Sequence, residues 1–316
     1  MTSSANFAAR LPEHIRKRLR LPLIAAPMFR VSGPDLVTAA CRAGIIGAFP
    51  TINCRSTEEL ESWLVRFQHE DQKSRGAMAP WCANVVMRDP RSAEHLACLQ
   101  RFPPELTISS VGSPRAMVEA LRDRGTLVFA DVASLRHAER AIADGVDGLV
   151  LLSAGSGGNT GWLNPFAFVR AVRSFWDGPL VLAGGAIDGV SLKAMQTLGC
   201  DLGYAGTRMI AATESLADNG YRAMLAASTM DDVLLTKAFT GLETNMLRPS
   251  IEACGLDPEN LGAALDADRA PDVYNSEAAP RRWKDIWSAG HTVSGVKYPQ
   301  SVAEVVKELI AEFEQS

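Results

Sequence analysis

Eight short apolar, β-branched runs recur along this chain, at Leu23–Ala26, Ile45–Phe49, Trp81–Val86, Leu106–Val111, Leu127–Asp131, Gly148–Ser153, Leu180–Ala183 and Leu202–Ala205. Runs so brief and so continuously apolar have the character of parallel strands covered on both faces. Helical periodicity fills the intervals, with end signals in place. Ser113 and Pro114 open one helix that Gly125 closes, Asn164 and Pro165 open another, and Ser56 to Glu59 has the spacing of a capping box. Strand and helix alternate up to Ala205, which restricts the fold to a closed barrel or an open doubly wound sheet.

The position of the unusual residues decides between them. Polar residues and glycines follow almost every strand: Pro27-Met28, Asn84, Gly112-Ser113, Asp131, Ser153 to Gly161, Gly184-Gly185 and Gly206-Thr207. A ring of such positions suits the C-terminal face of a (β/α)₈ TIM barrel better than the single crevice of an open sheet. A length of 316 residues accommodates one barrel with an insertion. Residues 210–282 read as helices and loops without a strand partner, a helical insertion over the barrel mouth. Trp283–Val296 reads as a connection, and Ser301–Phe313 as the eighth barrel helix, so that 1–316 form a single domain.

Composition narrows the function. A net charge of −4 with scattered basic residues gives nucleic acid no binding surface, and the densest basic run, His14–Pro22, reads as an amphipathic helix against one end of the barrel. No apolar stretch is long enough to cross a membrane and no signal-peptide pattern opens the chain, so a cytoplasmic location is expected. Six cysteines without a CxxC pair or histidine-rich neighbourhood argue against metal ligation; they read as reduced, buried thiols.

Two strand ends point to phosphate. Gly184-Gly185 and Gly206-Thr207, framed by Ala183 and Ala205, follow the seventh and eighth strands, where barrels place phosphate cradles built from exposed backbone N–H groups. Thr207 adds a hydroxyl, and Arg208 adds charge or else pairs with a structural carboxylate. After strand six, Ala154 to Trp162 carries four glycines. Their conformational entropy disfavours a plain structural loop, and a backbone passing close over a flat ligand would require them. Their spacing fits neither a dinucleotide fingerprint nor a Walker loop.

In this order, APM at Ala26–Met28, Asn84, the glycine-rich loop, AGG at Ala183–Gly185, GTR at Gly206–Arg208 and WSAG at Trp287–Gly290 resemble the nitronate monooxygenase family, which also includes flavin-dependent enoyl reductases and quinone reductases. The resemblance covers nearly the whole chain. It implies FMN held without a covalent link at the C-terminal face. Ala26, Pro27 and Met28 would lie against the isoalloxazine, Asn84 would bond its polar edge, Asp131 and Gly158 would border it, and Gly185, Gly206 and Thr207 would hold the phosphate. Alkyl nitronates, O₂ and FMN are the implied reactants, and carbonyl compounds and nitrite the implied products.

One departure bears on the reaction. Similar enzymes carry a catalytic histidine in the strand-six loop, where this chain has Asn159. An amide cannot remove a proton from carbon near neutral pH. A nitronate, already deprotonated, needs no such base, whereas a neutral nitroalkane does. His291, between glycine-flanked neighbours, is the candidate substitute, catalytic or flavin-contacting; His14, His69, His95 and His137 read as surface residues, and Trp162 and Met28 as walls of the substrate pocket. Loss of the histidine also keeps open an FMN-dependent reductase using NAD(P)H on an enoyl thioester or quinone, and a non-catalytic flavin- or phosphate-binding barrel. The chain leaves a homodimer open.

Overall fold

The computed structural model describes residues 7–261 and 284–316. Eight parallel strands close into the expected barrel in the order β1 (Leu23–Ala25), β2 (Ile46–Pro50), β3 (Trp81–Val86), β4 (Leu106–Ser110), β5 (Leu127–Val132), β6 (Gly148–Leu152), β8 (Leu180–Ala183) and β9 (Leu202–Ala205), with β9 returning to pair with β1. The predicted runs agree with these strands to within about a residue at each end.

Side chains alternate along each strand and sort into two cores. Ile24, Ile46, Cys82, Ile108, Phe129, Val150, Val181 and Leu202 fill the barrel together with Ala8, Leu11, Ile15 and Leu19 of the N-terminal segment. The basic run therefore closes one end of the barrel with its apolar face, as expected. The alternate residues, among them Ala25, Phe49, Ala83, Ala130, Leu151 and Leu182, pack outward against the helices.

Local signals operate in part: the helix Arg115–Leu121 has Pro114 and not Ser113 at its N-cap, and the Ser56 box is only half closed, Glu59 accepting from Arg55 N instead. Ser56 Oγ accepts from Glu59 N at 3.3 Å, and Asn164 Oδ1 accepts from the backbone of Phe166 at 3.0 Å and Ala167 at 3.2 Å. Gly125 is left-handed at φ 72°. The C-terminal helix runs from Val302 to Gln315 behind a Ser301–Glu304 capping box and contributes Val302, Val305, Val306 and Leu309 to the outer core, the place of an eighth barrel helix.

Two expectations need correction. The segment after β9 does contain strands: β10 (Val233–Thr236) and β11 (Thr244–Leu247) form an antiparallel hairpin, and β11 pairs with the short β7 (Gly158–Asn159) in the glycine-rich loop. The predicted insertion over 210–282 is therefore mixed in its described part, and its residues 262–282 lie outside the described residues. His95 is fully buried, not superficial, with its Nδ1 2.9 Å from Thr51 Oγ1, and burial lowers its pKa. It shares a helix face with the buried Cys98 and Leu99, an i, i+3, i+4 spacing that identifies an inward position.

Candidate active site

The C-terminal face of the barrel opens into one cavity of about 1690 Å³, larger than the roughly 300–1,000 Å³ of an ordinary small-molecule pocket. Strand alternation explains its floor. The last inward-facing residue of each strand lies on its wall: Ala26, Pro50, Asn84, Ser110, Asp131, Leu152, Ala183 and Tyr204. One level deeper the barrel side chains are apolar, so the polar members of this set depend on each other, on strand backbone and on the cavity for partners.

Asn84 and Ser110 satisfy each other in part. Ser110 Oγ donates to Asn84 Oδ1 at 3.3 Å, and Asn84 Nδ2 donates to Ile108 O at 3.2 Å, which leaves one amide hydrogen for a ligand. Asp131 has no such arrangement. Its Oδ1 is sealed from solvent without a hydrogen-bond partner, and burial pushes the carboxyl up to about 7. Burial likewise holds the Tyr204 phenol well above its ordinary value, with Asp131 and Cys82 adding to the effect.

The turn after β1 is braced from behind. Met28 N donates to Ser32 Oγ at 3.0 Å, Ser32 Oγ donates to Ala26 O at 3.2 Å, and Asn53 Nδ2 donates to Met28 O at 3.1 Å. Ala26, Pro27 and Met28 thus form a fixed shelf on one side of the cavity.

At the ends of β8 and β9 the glycines differ in purpose. A Cβ on Gly184 would fall 2.8 Å from Ser153 Oγ and 2.9 Å from Ala154 O, so this glycine lets two loops touch. A Cβ on Gly185, whose φ is +117°, would meet nothing nearer than Met195 Cε at 3.7 Å, and one on Gly206 nothing nearer than Met28 Sδ at 3.6 Å. Both latter positions line the cavity, and among the described residues no acceptor meets the N–H of Gly185, Gly206 or Thr207. Open space beside unpaired backbone donors is a cradle for an anion. Thr207 Oγ1 accepts from Gly290 N at 3.0 Å and keeps its own hydrogen to donate. Arg208 turns away to Glu308 at 2.8 Å, the structural pairing among its two predicted roles.

The whole glycine-rich loop from Gly155 to Trp162 lines the cavity, and three of its glycines are also packed closely against protein. Gly155, Gly157 and Gly161 are tight against protein: their Cβ positions would lie 2.8 Å from His291 Nδ1, 2.7 Å from Gly290 N and 2.2 Å from Leu152 O respectively. Of the four, only Gly158 would carry a Cβ into open space. Asn159 lines the cavity on β7, its Oδ1 accepting from Thr244 Oγ1 at 3.4 Å.

Twelve of the fourteen predicted site residues share the cavity wall, namely Ala26, Pro27, Met28, Asn84, Asp131, Gly158, Asn159, Ala183, Gly184, Gly185, Gly206 and Thr207. Two do not. Ala205 points outward into the helix-facing core, as its place in the strand alternation requires. His291 is exposed beside Gly155 and lies off the wall, while its backbone N donates to Gly155 O at 2.9 Å. Trp162 and Met28 do line the cavity, Trp162 with 70% of its surface exposed.

Sequence reading missed Pro50, Ser110, Tyr204 and Tyr221. The first three follow from counting alternate residues up each strand. Tyr221 comes from the insertion: it stacks on Trp287 at 5.0 Å, and its hydroxyl donates to Ser288 O at 2.5 Å, fixing the segment that closes the cavity.

The nitronate monooxygenase family model matches residues 71–312. A nitronate monooxygenase of Paraburkholderia phytofirmans is 26% identical across 93% of both chains. A (3aS,4S,5R,7aS)-5-hydroxy-7a-methyl-1-oxo-octahydro-1H-indene-4-carboxyl-CoA dehydrogenase of Rhodococcus jostii is 24% identical over 73% of this chain and 63% of its own. Among solved structures, FabK from Thermotoga maritima superposes with a TM-score of 0.80 at 20% identity, covering 95% of this chain and 94% of that one. Nitroalkane oxidase from Streptomyces ansochromogenes gives 0.73 at 22%, covering 96% and 98%. These two likenesses establish the shared barrel fold. With the family model spanning most of the barrel, the chain belongs to the nitronate monooxygenase family of flavin-dependent oxidoreductases.

Proposed function

We propose that the cavity holds FMN and that the enzyme oxidises alkyl nitronates with O₂ to carbonyl compounds and nitrite. The observation that carries this reading is the cradle at Gly185, Gly206 and Thr207, open where a Cβ would otherwise stand and supplied with unpaired N–H groups. These residues would hold the phosphate, with Ala183, Gly184 and the backbone of Ala205 fixing the strand ends behind it. The shelf at Ala26–Met28 would flank the ring, the free hydrogen of Asn84 would meet its polar edge, and Asp131 and Gly158 would border it. When bound, the flavin accepts electrons from substrate and passes them to O₂.

The chain's own residues set which substrate form is used. Asn159 faces the cavity but is already an acceptor for Thr244, and an amide is no general base. His291 does not reach the wall. The anionic nitronate, which needs no proton removed, is therefore the expected substrate, and a neutral nitroalkane a poor one. Among the described residues no helix is long and apolar enough to cross a membrane, and we place the enzyme in the cytoplasm.

A second reading is favoured by the outer wall, where Arg88 and Arg140 line the cavity without an ion pair among the described residues. They would suit a phosphorylated reductant or thioester, as in an NAD(P)H-dependent enoyl or quinone reductase. One experiment separates the readings. The flavin-loaded protein is mixed anaerobically with propionate 3-nitronate, nitroethane or NADPH while the flavin absorbance is followed. Bleaching by the nitronate alone is expected, and Asn159→His should raise the rate with neutral nitroethane by about 100-fold, the lower range for a positioned base. Bleaching by NADPH without response to nitronate would replace the first reading with the second, and a protein inert to all three would leave a non-catalytic flavin barrel.

A further inference from the structure

Asp131 is the one carboxyl on the barrel floor, and among the described residues its Oδ1 has no hydrogen-bond partner. Alternation along β5 turns it inward above the buried Phe129. Its Oδ1 is sealed and unpartnered, while the rest of the side chain is partly exposed on the cavity wall. An ionised carboxyl in this place would put charge on an oxygen that neither water nor a donor solvates. The neutral acid is favoured, with its proton on the oxygen that faces the cavity.

The surrounding groups leave that preference in place. The neighbouring strands present Ser110 from β4 and Leu152 from β6. Across the barrel, Tyr204 and Cys82 both stay protonated, because burial raises each. Arg88, Arg115, His137, Arg140 and Lys237 line the outer parts of the cavity, and none bonds to Asp131. Arg115 is held by Asp144 at 2.8 Å and Lys237 by Glu243 at 3.7 Å. Burial is the cause that lifts the Asp131 carboxyl to about 7, so its charge changes within the working range of an enzyme.

We propose that Asp131 is a proton-linked receptor for anions and sets the preference for an anionic substrate: as the acid it donates its O–H to a small planar anion on the barrel floor, and once ionised it excludes that anion. No covalent bond changes; one proton is taken up from solvent as the anion enters. The identity of the anion as a nitronate rests on the function proposed above, whereas the linkage does not. At residue 159 this chain has a neutral amide, which offers an anion no charge. Asp131 supplies a charge-neutral alternative, since an acidic O–H donating to an anion makes a strong, short hydrogen bond.

The test uses flavin-loaded protein and nitrate, a planar anion that does not titrate and that carries no abstractable proton. Binding is followed through the flavin spectrum between about pH 6 and 9, and proton uptake by calorimetry in two buffers of different ionisation heat. Wild-type affinity should fall about tenfold per pH unit above the carboxyl's pKa, with uptake approaching one proton per nitrate. Asp131→Asn keeps a donor at every pH; it should bind nitrate with no such slope and no uptake. Equal slopes in the two proteins, absence of uptake in the wild type, or failure of nitrate to bind would each overturn the proposal. Nitronate oxidation with pH-independent nitrate binding would spare the proposed function and sink the linkage. Linked binding without nitronate oxidation would do the reverse.

Discussion

Two glycine-rich regions adjoin at the barrel mouth, the ends of β8 and β9 and the loop after β6, and their glycines make different contacts. At the ends of β8 and β9, Gly185 and Gly206 border open space in the cavity. In the loop after β6, Gly155, Gly157 and Gly161 are pressed against backbone or the His291 ring. The segment Ala289 to His291 joins the two, because Gly290 N donates to Thr207 Oγ1 at 3.0 Å and His291 N donates to Gly155 O at 2.9 Å. Glycine in a βα loop therefore records a close approach without saying what approaches. In one region an added Cβ would meet open space, and in the other it would meet the protein itself.

This difference yields substitutions with unlike consequences. Gly161→Ala should be the most damaging, since its Cβ would stand 2.2 Å from Leu152 O, a backbone atom at the end of β6 that cannot step aside. A loss of about 3 kcal/mol, the upper part of the overpacking range, is expected as a lower urea midpoint at unchanged slope. A midpoint like that of the wild type would show that the loop yields to the added carbon. Gly206→Ala should behave in the opposite way. Its φ of −102° admits alanine, and the nearest neighbours at 3.6 and 3.8 Å make ordinary contacts. Stability should change by less than about 0.5 kcal/mol, whereas flavin affinity should weaken about tenfold, or ~1.4 kcal/mol, by fluorescence titration. Unchanged affinity would place the phosphate elsewhere.

The contrast also marks what the sequence discloses. The barrel was legible because buried parallel strands are written as short apolar runs, and their ends are local. The cavity floor was equally available, since Pro50, Ser110 and Tyr204 follow from alternation once the strands are fixed, although only Asn84 and Asp131 drew notice as polar residues in apolar surroundings. The hairpin of β10 and β11 was not legible. Each strand has four residues, and the third partner is Gly158-Asn159, a pair with poor strand propensity. Only long-range pairing makes them a sheet. The contacts of Gly155 and Gly157 with Ala289 to His291 were not legible for the same reason, because these partners lie more than a hundred residues away in the chain.

His291→Ala gives the smallest expected effect and the finest probe of the same comparison. The residue was singled out by its glycine neighbours, yet its ring is exposed and touches Gly155 instead of the cavity. What joins it to the site is its backbone N–H, which an alanine retains. Trimming the imidazole should leave the Gly155 contact closed by the main chain, with stability within about 0.5 kcal/mol of the wild type. The rate of flavin reduction by nitronate and its pH profile should be unchanged as well. A rate loss of tenfold or more with the fold intact would mean that the strap moves His291 inward when substrate binds. The packed region would then share in the chemistry, and the division between the two glycine clusters would fail at this residue first.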